Sequence, residues 1–103
     1  MQLPWPRTLE EFNQYGKGYL FGYLDMVFTK VEEDEVIAQI SLQQHHFGWH
    51  GTLHAGTLFA LADSCAGYGC VKSLPQGASG FTTIETKNNF LAMANSSVIR
   101  CVA

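Results

Sequence analysis

The sequence predicts an α+β fold in which one long apolar helix packs against a mostly antiparallel sheet. Two observations carry this. A helical apolar pattern starts at Thr52 or His54 and ends at Lys72, and the segments around it are short, rich in β-branched and aromatic residues and bounded by turn signals. Strands separated from a single long helix, rather than alternating with several, point to α+β.

The elements follow in order. Thr8-Leu9-Glu10-Glu11 reads as a capping box, with Thr8 as N-cap and Glu11 reaching back to it. The short helix that follows runs to Tyr15 and is stopped by Gly16 and Gly18. Residues 19–31 are aromatic and β-branched, which predicts a strand. Glu32-Glu33-Asp34-Glu35 reads as a solvated hairpin turn. Residues 36–42 then alternate apolar and polar, as a half-buried strand does. Residues 45–53 hold three His, Phe47, Trp49 and two Gly, which suits a structured loop.

In the long helix, Leu58, Ala62, Cys65 and Gly69 mark one face, widened by Phe59 and Leu61. Gly67 and Gly69 each cost about 1 kcal/mol against Ala within a helix. Their presence predicts a buried helix closely approached by another backbone. Pro75, Gly77 and Gly80 mark a loop. Residues 81–91 are the next strand candidate, Asn95-Ser96 a turn, and residues 98–102 a last strand.

Length and composition limit the function classes. The chain has 103 residues, of which 47% are apolar and 15% charged, so one folded domain over residues 1–103 is expected and disorder is not. A net charge of −3 argues against nucleic-acid binding. No apolar run reaches the ~18 residues of a spanning helix. Residues 1–7 lack the features of a signal peptide. Three cysteines without scaffold spacing fit a reducing cytoplasm.

The acidic residues are uneven: after Glu35 only Asp63 and Glu85 remain. Glu85 sits in a Thr-rich segment and can face solvent. Asp63 sits mid-helix, with Phe59, Ala66 and Gly67 as its i−4, i+3 and i+4 neighbours, none of which neutralises it. A buried carboxylate is costly without a partner, and burial alone raises its pKa. Asp63 therefore lies on an exposed stripe, bonds nearby backbone, or stands in a pocket as general base or nucleophile. His46, His50 and His54 share i, i+4, i+8 spacing, but Gly48 and Gly51 interrupt them and no fourth ligand is spaced to join them, so no metal site is expected. Cys65 and Cys70 point about 140° apart on the helix and read as small hydrophobes.

The stretch Gly51-Thr52-Leu53-His54-Ala55-Gly56-Thr57-Leu58-Phe59-Ala60-Leu61-Ala62-Asp63-Ser64 resembles the central helix of the hotdog-fold acyl-CoA thioesterases. The branch it resembles contains the phenylacetyl-CoA and 4-hydroxybenzoyl-CoA thioesterases, in which an H-G-G or H-A-G opens that helix and an acid lies further along. Thr82-Thr83-Ile84-Glu85-Thr86-Lys87-Asn88-Asn89-Phe90-Leu91 is similar to the family's following strand. The resemblance covers roughly residues 19–103 and implies a curved antiparallel sheet wrapped around the helix. It implies that the Ala55 N–H polarises the thioester carbonyl, that Asp63 is nucleophile or base, that His54 stands beside the site and that Thr83 lies near the attacking water. Gly56 and Phe59 are the implied substrate contacts. CoA enters as part of the substrate, and no separate cofactor is implied.

Ala55 and Asp63 are eight positions apart, about 12 Å along one helix. Reacting groups must come within about 3–3.5 Å, so if both serve one reaction Asp63 comes from a second chain. This implies a homodimer, or a tetramer built from such dimers. Two departures stand out. Many relatives carry Asn or Gln where this chain has Gly48; Gln43, Gln44, His46 and His50 are the candidates to replace it. Family domains also usually continue beyond residue 103 through further strands. An acyl-CoA-binding or structural hotdog module, and a hotdog hydratase or dehydratase, are the alternatives to a thioesterase. Phe47, Trp49, Phe59, Tyr68 and Phe81 are candidates for an acyl pocket or for the core. Lys72, Lys87 and Arg100 are candidates for CoA phosphates or ordinary surface charges.

Overall fold

The computed structural model describes residues 5–103. The first four residues of the opening segment read above lie outside it. Helix α1 (Leu9–Tyr15) begins as its sequence predicts, with the Thr8 hydroxyl accepting from the Glu11 N–H at 3.1 Å. The Glu11 carboxylate reaches one residue further back than a capping box requires, accepting from the Arg7 N–H at 2.7 Å.

Residues 19–31 divide between two elements. A one-turn helix, α2 (Leu20–Tyr23), precedes strand β1 (Met26–Val31). Gly22 packs so tightly on the Gly16 carbonyl that a Cβ there would collide with it, and Asp25 closes the turn at φ 61. Phe21 is buried against Phe28 and Tyr68, a contact that strand pairing does not supply, while Tyr19 and Tyr23 stay exposed.

Strand β2 (Val36–Ser41) pairs antiparallel with β1 through the acidic turn, where Glu32 N–H bonds to the Glu35 carbonyl. Strand β3 (Val98–Val102) pairs antiparallel with the other edge of β2, giving the order β1-β2-β3. The outer edge of β1 is met by a side chain: the Asn13 amide donates to the Phe28 carbonyl at 2.9 Å and accepts from its N–H at 2.7 Å. One residue thus docks α1 on the sheet while satisfying a strand edge.

Helix α3 (Ala55–Lys72) crosses the sheet, completing a hotdog arrangement. Thr57, Leu61 and Cys65 are its buried residues; Leu61 and Cys65 join Val36, Ala38 and Ile40 of β2 and Phe28 of β1 in the core. Burial pushes the Cys65 thiol up to about 12, so it stays protonated. The helix is less enclosed than the sequence suggests. Phe59 is 39% exposed, and the neighbours at Gly67 and Gly69 are the Phe81 ring and the Val36 side chain, not a second backbone.

Residues 81–91 form no strand. Among the described residues the outer edge of β3 is unpaired, but this segment crosses α3 instead of joining it, with Phe81 near Gly67 and Phe90 near Leu58. Thr-rich alternation supplies an extended backbone, but a ladder needs a partner. No helix among the described residues is long and apolar enough to cross a membrane.

Candidate active site at the start and middle of α3

The first turn of α3 allots its N–H groups unevenly. His54 is the N-cap, and its Nδ1 accepts from the Gly56 N–H at 2.8 Å. The Thr57 N–H bonds to the His54 carbonyl at 2.9 Å. Among the described residues, the Ala55 N–H has no acceptor within the chain. It is an orphan donor of the kind that a helix start leaves over, at the positive end of the dipole. Gly56 is explained by the cap itself, since a Cβ there would come 2.8 Å from His54 Nδ1. His54 therefore shapes the donor end of the helix.

Ala55 opens on a cleft of about 190 Å³, walled by Leu53, Leu58, Phe90 and Met93 and carrying Thr52. Phe59 does not line it. Asp63 opens on a different hollow, formed with Trp5, Ser64, Gly67, Tyr68 and Phe81. Its burial is partial, and its Oδ1 accepts from the Thr83 hydroxyl at 3.2 Å. The chain thus brings together Asp63 and Thr83, which lie 20 positions apart. It leaves Ala55 and Asp63 on separate hollows of one helix. Arg100 lines a third hollow beside Leu61, Ala62 and Phe90, while Lys72 and Lys87 are exposed. Of the other aromatic candidates, Trp49 is 99% exposed, and Tyr68 both lines the Asp63 hollow and packs edge-on to Phe12.

The three spaced histidines do not converge. His54 caps α3, His50 Nε2 lies 2.8 Å from Thr52 Oγ1, and His46 is fully buried. His46 Nδ1 accepts from the Gln43 N–H at 2.8 Å, which forces the proton onto Nε2, 2.7 Å from the Leu24 carbonyl. The His46 carbonyl accepts from the His54 N–H at 3.0 Å and from the Thr57 hydroxyl at 2.9 Å. His46 therefore ties the α2–β1 corner to the first turn of α3.

Sequence spacing missed the cluster that His46 does join. The ligand-type atoms of Asp25, His45 and His46 lie within 4.8 Å of one another. The protonated Nε2 of His46 makes this a hydrogen-bonded latch, with Asp25 Oδ2 at 2.8 Å from His45 Nε2. Nor does the sequence single out Thr52, which lines the Ala55 cleft. A hydroxyl two positions before an N-cap carries no distinguishing signal in one sequence.

The sequence pattern of the thioesterase superfamily matches residues 50–103, the part holding α3 and β3. The 1,4-dihydroxy-2-naphthoyl-CoA hydrolase of Escherichia coli (strain K12) is 30% identical over 103 residues, covering 95% of this chain and 73% of that protein. A thioesterase crystal structure from Haemophilus influenzae superposes with a TM-score of 0.84 at 22% identity, over 94% of this chain and 67% of that one. A mutant thioesterase from Pseudomonas aeruginosa gives 0.84 at 20%, over 93% and 69%. At those identities the two structures speak for the fold.

Proposed function

Because this chain belongs to the thioesterase superfamily, we propose that it hydrolyses acyl-CoA thioesters at a site shared between two copies of itself. One observation carries the reading: the free donor at Ala55 and the carboxylate at Asp63 open on different hollows of the same helix. Each is half of a hydrolytic site. Two antiparallel copies would set the Ala55 of one beside the Asp63 of the other, twice over.

Attack on a thioester carbonyl moves negative charge onto its oxygen. The Ala55 N–H and the α3 dipole stabilise that charge more than they stabilise the neutral carbonyl, which is what lowers the barrier. Across the subunit boundary, Asp63 takes a proton from the attacking water, or attacks the carbonyl itself to give an anhydride that water then opens. The Thr83 hydroxyl occupies one carboxylate oxygen and leaves the other for that work. The CoA thiolate leaves and is protonated by solvent. The apolar walls of the Ala55 cleft suit a hydrophobic acyl group, and the name of the E. coli relative suggests an aromatic one.

A panel of acyl-CoA esters, read by a thiol reagent, tests this. The expected result is turnover of at least one ester, with aromatic acyl groups preferred. Binding of the panel without any release of CoA would support the non-catalytic module instead.

A further inference from the structure

We propose that Thr52, held in place by His50, supplies the second hydrogen-bond donor to the thioester oxygen beside the Ala55 N–H. This rests on the hydrolytic reading above and names a part of the site that neither the fold nor the chemistry of the superfamily supplies by itself. The cleft at the start of α3 is apolar apart from one side chain. Leu53, Leu58, Phe90, Met93 and two alanines cannot donate; the Thr52 hydroxyl can. A developing oxyanion in an apolar cleft gains most from donors fixed in advance, and a lone backbone N–H satisfies one of its lone pairs.

The loop before α3 fixes that hydroxyl. The Gly48 N–H bonds to the Thr52 carbonyl at 2.8 Å, the Gly51 N–H to the Gly48 carbonyl at 3.0 Å, and Gly51 adopts φ 94. This tight return lays the His50 ring over Gly48, where a Cβ would come 2.8 Å from its Cε1. The same fold brings His50 Nε2 to 2.8 Å from Thr52 Oγ1. With Nε2 protonated, in the neutral ring or the imidazolium, His50 donates to the Thr52 oxygen and leaves the hydroxyl proton free to point into the cleft. The other polar side chains of the loop are engaged or elsewhere. Neither Gln43, whose main-chain carbonyl accepts from the His46 N–H at 3.0 Å, nor Gln44 lines the cleft, and His46 is locked in the core. His50 is thus a positioning residue and Thr52 the group that touches substrate.

The test compares wild type with T52V, T52S, H50L and H50Q on an ester the wild type hydrolyses, with circular dichroism to confirm folding. Removing one such donor costs about 10²–10³-fold in kcat, and the partial exposure of Thr52, with the Ala55 N–H left in place, puts the expected loss for T52V lower, at about 30-fold, with KM within about twofold. T52S restores the hydroxyl and most of the rate. H50L loses about fivefold to tenfold, and H50Q, which still offers an N–H, recovers part of it. Valine and serine variants equally impaired would assign Thr52 to packing and overturn the proposal, as would T52V matching an active wild type. A wild type that releases CoA from no ester would sink the hydrolytic reading itself, and this proposal with it.

Discussion

Replacing Asp63 by Asn lowers kcat about 1,000-fold while leaving the fold and KM close to wild type. The size follows from the role: a positioned acid or base is worth about 10²–10⁴-fold. The selectivity follows from the geometry. Asn matches Asp in shape, and its amide oxygen can still accept the Thr83 hydroxyl bond that Asp63 Oδ1 now receives at 3.2 Å. Asp63 is half-buried and takes no part in the core of Phe12, Phe28, Ile40 and Leu61, so little stability depends on its charge. The capacity to take a proton from water, or to attack the carbonyl, is what disappears. Steady-state kinetics with a thiol reagent measures it. A loss smaller than tenfold in a folded variant would remove Asp63 from the reaction.

The second large effect comes from a backbone atom. Ala55→Pro deletes an N–H of the first turn that has no acceptor among the described residues. Ala55 is the first helical residue, the position where proline is best tolerated, because that N–H makes no helical bond and the ring's fixed φ suits the helix. The residue before a proline must be extended, and His54 already is, at φ −68 and ψ 129. The stability change should therefore stay within about 1 kcal/mol, against the ~3 kcal/mol of a proline in a helix interior. The rate should fall by about 10²–10³-fold, the cost of losing one oxyanion donor. Urea denaturation and kinetics on the same preparation separate the two quantities. Full activity in Ala55→Pro would mean that the carbonyl is polarised elsewhere.

The fold was legible in the sequence where local chemistry and tertiary packing agree. Thr8 caps α1, the acidic run turns the β1–β2 hairpin, and α3 ends at Lys72 as its periodicity says. Legibility failed where composition answered to something else. Phe21 draws residues 20–23 into a helix because its ring packs on Phe28 and Tyr68, a long-range contact that no local window contains. Residues 81–91 have strand chemistry but lie across α3 rather than along the open edge of β3, because pairing belongs to two segments at once and the composition of one does not fix it. Of the candidate site, the sequence placed Ala55 and Asp63 in α3 with His54 just ahead of it, whereas Thr83, expected in a strand, lies in a segment that forms none. The Asp63–Thr83 bond, the Gly56 cap and the His50–Thr52 contact each depend on side-chain directions that one sequence does not encode.

Subunit mixing decides whether one helix start and another helix's acid form a single site. Asp63→Asn and Ala55→Pro proteins, each inactive alone, are unfolded together and refolded as an equal mixture. In a symmetric dimer with shared sites, half the pairs are mixed, and each mixed pair rebuilds one intact site from the Ala55 of one chain and the Asp63 of the other. The account predicts recovery of about a quarter of wild-type activity. If each chain carried its own complete site, every site in the mixture would hold one lesion, and activity that stayed at the level of the separate variants would contradict the account.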